Sequence, residues 1–178
     1  MSLFFPPAEN LPGGVVFPSD MTPRQLADLV AAHAPALALY ARTWCASPDD
    51  AVQDASCKLA ALRTAPADPA AWLFRAARNA AIDLGRADRR RKRREEAVAR
   101  PDGWFVEAEI DGLDAADAVA ALESLPPEQR EVIVARLWGG LTLEQATAAA
   151  GCAVSTAFRR YEAGIAALRD RLGVRDTA

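Results

Sequence analysis

Apolar residues recur along this chain at intervals of three and four, and nowhere do they alternate with polar ones as in a half-buried strand. The spacing predicts an all-α protein. Thr22-Pro23 reads as a helix start, with Thr as cap and Pro at the first helical position. Leu26, Leu29, Val30, Leu37, Leu39, Tyr40 and Trp44 follow, on one helix or a broken pair around Pro35. Ser47-Pro48-Asp49-Asp50 starts another helix, with Ser as cap, Pro behind it and acids where the helix dipole favours them. Val52, Ala55, Leu59 and Leu62 then form its buried face, while Asp50, Gln53, Asp54 and Lys58 lie on another side.

After the turn at 63–69, a long helix runs from 69 to about 94, with Leu73, Ala77, Ala80 and Leu84 on a face small enough to pack closely on another helix. Leu125-Pro126-Pro127 begins a further helix through Val132, Val134 and Leu137, ended by Gly139-Gly140. Thr142 and Gln145 have capping-box spacing and start a helix of about two turns that Gly151 stops. The last helix begins near Val154 or Ser155 and continues toward Leu172. Residues 1–22, rich in Pro and Gly, form an extension to which the sequence assigns no job.

Charge changes the picture more than composition does. The formal net charge is −3, yet residues 89–100 hold seven basic and two acidic groups, and residues 101–124 hold seven acids with no Lys or Arg. Upstream of the basic run, Arg75, Arg78, Asn79, Ile82, Arg86, Arg89, Arg90 and Arg93 step along one side of the long helix. A basic edge on an acidic protein suggests a polyanionic partner, although such a run alone also suits a solvated face. The acidic stretch reads as a linker, so the chain divides into an extension (1–22), a helical domain (23–98), the linker (99–118) and a second helical domain (119–178). The expectation is two separate bodies with the arginine ridge open to a partner.

Three cysteines without C-x-x-C spacing and a single His33 argue against a zinc site or a disulfide framework; reduced, mostly buried thiols are expected. No run approaches the ~20 apolar residues of a membrane span, and the N-terminus lacks a secretory pattern. Nothing has the spacing of a nucleophile–base pair, a phosphate loop or a metal cluster, so no catalytic residue, metal or cofactor is expected and the chain does not read as an enzyme.

A short helix, a glycine turn and a longer helix is the helix-turn-helix arrangement. Ala146, Ala150, Val154 and Ala157 are expected to face inward, while Ser155, Thr156, Phe158, Arg159 and Glu162 face outward, with Arg and Ser or Thr suited to phosphates and base edges. A plain antiparallel helix pair has the same spacing.

Two units of this kind in this order resemble a known family, the extracytoplasmic-function sigma factors of bacterial RNA polymerase. Ser47-Pro48-Asp49-Asp50-Ala51-Val52-Gln53-Asp54 resembles the family's acidic D-A-E-D-L-V-Q-E helix. Ala71-Trp72-Leu73-Phe74-Arg75-Ala76-Ala77-Arg78-Asn79-Ala80-Ala81-Ile82-Asp83 is similar to its A-W-L-Y-R-I-A-R-N-x-A-x-D helix, and Leu125-Pro126-Pro127-Glu128-Gln129-Arg130-Glu131-Val132 to its L-P-x-x-Q-R-E-V opening. The resemblance covers residues 25–95 and 119–172.

It implies that 23–98 is sigma region 2 and 119–178 is region 4. Asp50, Gln53 and Asp54 would meet the β′ clamp helices of core RNA polymerase, and region 4 would dock on the β flap. Arg75, Arg78, Asn79, Arg86, Arg89 and Arg90 would hold the opened minus-ten strand, beside a base pocket at 63–69. The helix from Val154 would read the minus-thirty-five element through Ser155, Thr156, Phe158, Arg159, Arg160 and Glu162. Here the chain departs from the family's V-G-T-V-K-S-R-L-H-R-A, since Phe158 and Ala163 stand where cations are customary. The implied function is promoter recognition and melting in the cytoplasm, with core polymerase, promoter DNA and an anti-sigma factor as partners. A stand-alone helix-turn-helix regulator and a degenerate sigma-like interaction protein are the alternatives.

Overall fold

The structure, a computed structural model, describes Pro18, residues 20–95 and residues 115–173, the side chains of 92–95 and 115–117 excepted. Most of the N-terminal extension and residues 96–114, which hold the end of the basic run and much of the acidic segment, lie outside the described residues. Among the described residues there are seven helices and no strand: α1 (Pro23–Arg42), α2 (Pro48–Ala60), α3 (Pro69–Glu95), α4 (Ala115–Ser124), α5 (Pro127–Leu137), α6 (Leu143–Ala150) and α7 (Val154–Leu172). The all-α expectation holds.

Helix α1 begins where the sequence places it. The Thr22 side chain accepts from the Gln25 amide at 3.2 Å, and the Gln25 side chain accepts from the Thr22 amide at 2.8 Å, so two amides without helical partners are satisfied reciprocally. It is one helix and not a broken pair, for Pro35 lies inside it. A missing hydrogen bond at this exposed proline is outweighed by the face that Leu26, Val30, Leu37 and Tyr40 bury on either side of it. Ser47, expected to cap α2 through its hydroxyl, makes no such bond; Pro48 at the first position and the acids Asp49 and Asp50 open the helix instead. Helix α4 starts at Ala115, inside the segment read as linker, and Arg130 ties it to α5 by donating to the carbonyls of Leu122, Glu123 and Leu125 at 2.8, 2.6 and 3.0 Å.

Helices α6 and α7 make the helix-turn-helix. Thr142 and Gln145 form the expected capping box, and Gly151 ends α6 with φ 64°, a left-handed conformation that glycine adopts without penalty. Ala146, Ala150 and Ala157 face inward as the spacing requires, but Val154 does not, being 51% exposed.

The two helical groups pack against each other. A single buried cluster runs from Leu26, Leu37, Tyr40, Leu73, Phe74 and Ala77 in α1 and α3 into Ile133, Val134, Ala146 and Ala149 in α5 and α6. Helix α3 packs on α1 and α2, where Ala80 and Leu84 meet Ala41 and Ala51, and also on α6, while α1 meets α5. Gly139 marks how close the approach is: a Cβ there would come within 2.8 Å of Phe74 Cζ. The reason is economy of apolar surface. Leu73, Ala77, Ala146 and Ala149 share that buried cluster, so contact between the halves removes apolar surface from water. Of the thiols, only Cys45 is buried; Cys152 is half-buried and Cys57 exposed.

Candidate nucleic-acid interface

The ridge residues of α3 fall into two environments. Arg75, Asn79, Arg86, Arg89 and Arg90 are exposed. Arg86 makes only an open pair with Asp83 at 3.5 Å, with side chains 62% and 77% exposed, the kind of contact that solvent largely screens. Arg78 is different. Its Nε donates to Glu131 Oε2 at 2.6 Å across the seam between the halves, and its guanidinium lies 5.1 Å over the Trp44 ring.

Glu131 is wholly buried. Its other oxygen makes no hydrogen bond, its nearest cation being Arg160 Nη1 of α7 at 3.6 Å. Burial pushes the Glu131 carboxyl above the usual carboxylate range, against the lowering effect of Arg78 and Arg160. Burial is the largest single influence on Arg78 and works against its charge, but the bond to Glu131 and the Glu131 charge, with smaller help from Tyr40 and Cys152, together hold the guanidinium above its ordinary value. The carboxyl is the informative member of the pair, because a guanidinium stays protonated in either setting. Tyr40 completes the buried ring: its hydroxyl, raised chiefly by burial and then by the Glu131 charge, has no hydrogen-bond partner among the described residues.

The loop at 63–69 is also engaged. Asp68 caps α3 by accepting from the Ala71 amide at 2.9 Å, and its second oxygen accepts from Gln145 Nε2 of α6 at 2.8 Å. Gln145 therefore serves both as half of the α6 capping box and as a bond between the halves.

On α2, Asp50 and Gln53 are exposed, while Asp54 is half-exposed and bonded to Lys58 at 2.7 Å. All three stand on the side away from Val52, Ala55 and Leu59, as the spacing predicts. On α7, Ser155, Phe158, Arg159 and Glu162 are exposed and Thr156 is half-buried. Arg159 turns back to the Ser155 carbonyl at 3.3 Å. Arg160 does not reach outward with them; its pairing with Glu131 draws it toward α5. Phe74, whose ring meets Tyr40 edge-on at 5.3 Å and His33 at 5.8 Å, is core and not a stacking platform.

Two residues that the sequence pattern did not single out, Glu131 and Asp68, are thus central, and Gln145, read only as half of a capping box, also joins the halves. Glu131 carried one usable signal, a carboxylate directly before the apolar run Val132-Ile133-Val134. Leu137, read with Val132 and Val134 as part of the apolar series of α5, is instead 54% exposed, beside Trp138 at 40%, which was not singled out. Among the described residues no cluster of His, Cys, Asp and Glu could hold a metal, and no helix is long and apolar enough to cross a membrane.

Comparison with known proteins fits this geometry. Residues 29–94 match the family model for sigma-70 region 2, and residues 121–170 match that for sigma-70 region 4. An ECF RNA polymerase sigma factor, EcfG of Rhodopseudomonas palustris, is 37% identical over 92 residues, a stretch spanning 48% of this chain and 48% of that relative. Among solved structures, the sigma factor RpoE in complex with the anti-sigma factor NepR from Bartonella quintana is 27% identical, with a TM-score of 0.69 over 85% of this chain and 96% of that one. CnrH in complex with the cytosolic domain of CnrY is also 27% identical, with a TM-score of 0.57 over 87% of this chain and 92% of that one. Regions 2 and 4 are thus present in order, on an all-helical frame that sigma factors share, and the chain belongs to the extracytoplasmic-function sigma factors.

Proposed function

We propose that this chain binds core RNA polymerase, directs it to promoters and assists strand opening. It does so as a non-enzymatic cytoplasmic factor with region 2 at 23–98, a linker at 99–118 and region 4 at 119–178. The observation that carries the reading is the pairing, within one helical unit, of an exposed acid–amide face on α2 with an exposed arginine ridge on α3. A polymerase surface and a nucleic-acid strand need contacts of opposite sign, and the two helices supply them.

Asp50, Gln53 and Asp54 are the contact to the β′ clamp helices, where charge gives orientation and on-rate more than raw affinity. Arg75, Arg78, Asn79, Arg86, Arg89 and Arg90 hold the minus-ten strand: the cations bind phosphates or stack on bases, and Asn79 bonds a base edge. Opening a duplex costs on the order of 1–2 kcal/mol per base-pair step, which capture of the separated strand must supply where no ATP is used. Region 4 docks on the β flap, and α7 reads the minus-thirty-five element through Ser155, Thr156, Phe158, Arg159, Arg160 and Glu162. An anti-sigma factor is a further partner, by analogy with the complexes of the two structural relatives.

Gel filtration of the chain with core polymerase, followed by transcription from a promoter library, tests the reading; co-elution with promoter-dependent transcripts is expected. Asp50→Arg should weaken polymerase association about tenfold or more while leaving the helical spectrum unchanged, as like charges facing across an interface cost a few kcal/mol. Equal association would remove that face from the contact. One observation favours a second reading, a sigma-like interaction protein: Val154 and Phe158 place exposed apolar groups on the reading helix. Association without transcripts would favour it.

A further inference from the structure

Asp20 belongs to the N-terminal extension and lies outside the stretch 29–94 that matches sigma-70 region 2. Its backbone is fixed on both sides. Pro18 is buried, and its carbonyl accepts from the Met21 amide at 3.0 Å. Met21 packs against the main apolar cluster, and Thr22 opens the capping box of α1. A carboxylate on such a turn is set in place before any partner arrives.

From there Asp20 Oδ1 accepts from the Ala65 amide at 2.8 Å, across 45 residues. Ala65 lies in the loop between α2 and α3, next to Pro66. Pro66 and Pro69 have no amide to donate, so the loop has few means of holding itself. Two carboxylates hold it instead: Asp20 at Ala65, and Asp68 at the start of α3 through the Ala71 amide. A bond from an amide to a carboxylate is charge-assisted and stronger than one between neutral groups. Asp20 is exposed, so this bond shapes the loop more than it stabilises the fold.

Resting on the sigma-factor reading above, in which this loop forms the pocket for an extruded minus-ten base, we propose that Asp20 is a positioning residue for that pocket. By holding the Ala65 amide it keeps the loop backbone in the shape that receives the base, and the extension thereby sets how strictly one minus-ten position is read. A pocket shaped beforehand leaves less chain to order when the base arrives, whereas a loop free to rearrange admits more bases and holds each less tightly.

Two substitutions separate positioning from charge. Asp20→Ala removes the acceptor, while Asp20→Asn keeps a side-chain oxygen that can accept from Ala65 and removes the charge. Each full-length chain is assembled with core polymerase and transcribes a promoter library randomised across the minus-ten element. Asp20→Ala is expected to flatten the base preference at one position about fivefold, the scale of a single hydrogen bond. Preferences at the other positions, co-elution with the polymerase and the melting temperature should stay as in the parent. Asp20→Asn should restore most of the lost preference, and the Ala65 amide should exchange hydrogen faster in Asp20→Ala than in the other two chains.

A parent that transcribes, beside an Asp20→Ala chain with the same preference at every position, would overturn the proposal alone. So would a loss spread evenly along the element, or an Asp20→Asn chain no better than Asp20→Ala. A parent that neither co-elutes with polymerase nor yields promoter-dependent transcripts would overturn the functional reading and the proposal with it.

Discussion

Arg78 and Arg86 stand two turns apart on the same helix, are the same residue type and each face a carboxylate, yet they belong to different physical regimes. Arg86 and Asp83 touch at 3.5 Å in the open, three residues apart. Arg78 meets Glu131 at 2.6 Å against a buried carboxylate 53 residues away, with Trp44 beneath the guanidinium. Water does for the first pair most of what the protein does for the second. An exposed pair contributes roughly 0–1 kcal/mol, whereas removing one member of a buried pair leaves an uncompensated charge costing about 3–5 kcal/mol. A ridge of arginines in a sequence is therefore not a set of equivalent contacts. One member is structural in the packed form, and its bond joins the two helical groups.

The comparison can be broken from its strong side first. Arg78→Ala strands Glu131 with only the longer contact to Arg160, and should lower unfolding stability by about 3 kcal/mol. Urea denaturation measures it, and a loss below about 0.5 kcal/mol, the range of an ordinary surface substitution, would mean that water reaches Glu131 freely.

A smaller effect is expected from the packing that brings Arg160 to the carboxylate. Gly164 lets α7 lie against α5: a Cβ there would sit 2.5 Å from Ile133 Cδ1. Glycine inside a helix costs about 1 kcal/mol relative to alanine, but overpacking a buried site costs about 1–3 kcal/mol. Gly164→Ala should thus destabilise by about 1 kcal/mol on balance. Ile133→Val removes the clashing carbon, so the double variant should recover part of that loss in a thermodynamic cycle; strict additivity would show that the contact is not the cause.

Smallest of all, Arg86→Ala should change stability by less than about 0.5 kcal/mol while weakening strand binding, since its partner is already in water. A larger stability loss would erase the distinction between the two arginines.

Local chemistry made the elements legible, and its reach explains what was not. Thr22 with Gln25, Thr142 with Gln145, and Gly151 each act within three or four residues, so the helix starts and the turn could be read directly. The α2 acids were equally readable, because their face follows from the spacing of Val52, Ala55 and Leu59. Periodicity says which side of α3 is apolar and small, but not that α6 will cover it. The bonds that join the halves, Arg78 to Glu131 and Gln145 to Asp68, span 53 and 77 residues and leave no trace in any local window. Hence the two helical domains could each be drawn from the sequence, while their packing against one another could not. Ser47 shows a failure on a smaller scale: the cap position carries a suitable side chain, but its hydroxyl makes no cap bond where Pro48 already opens the helix.

Hydrogen exchange of the free chain, the parent beside Arg78→Ala, tests the account most directly. The account predicts that amides of α6 and the first half of α3 are protected in the parent and exchange faster in Arg78→Ala, because the bond to Glu131 joins the two helical groups. A variant whose seam stays as protected as that of the parent would contradict it.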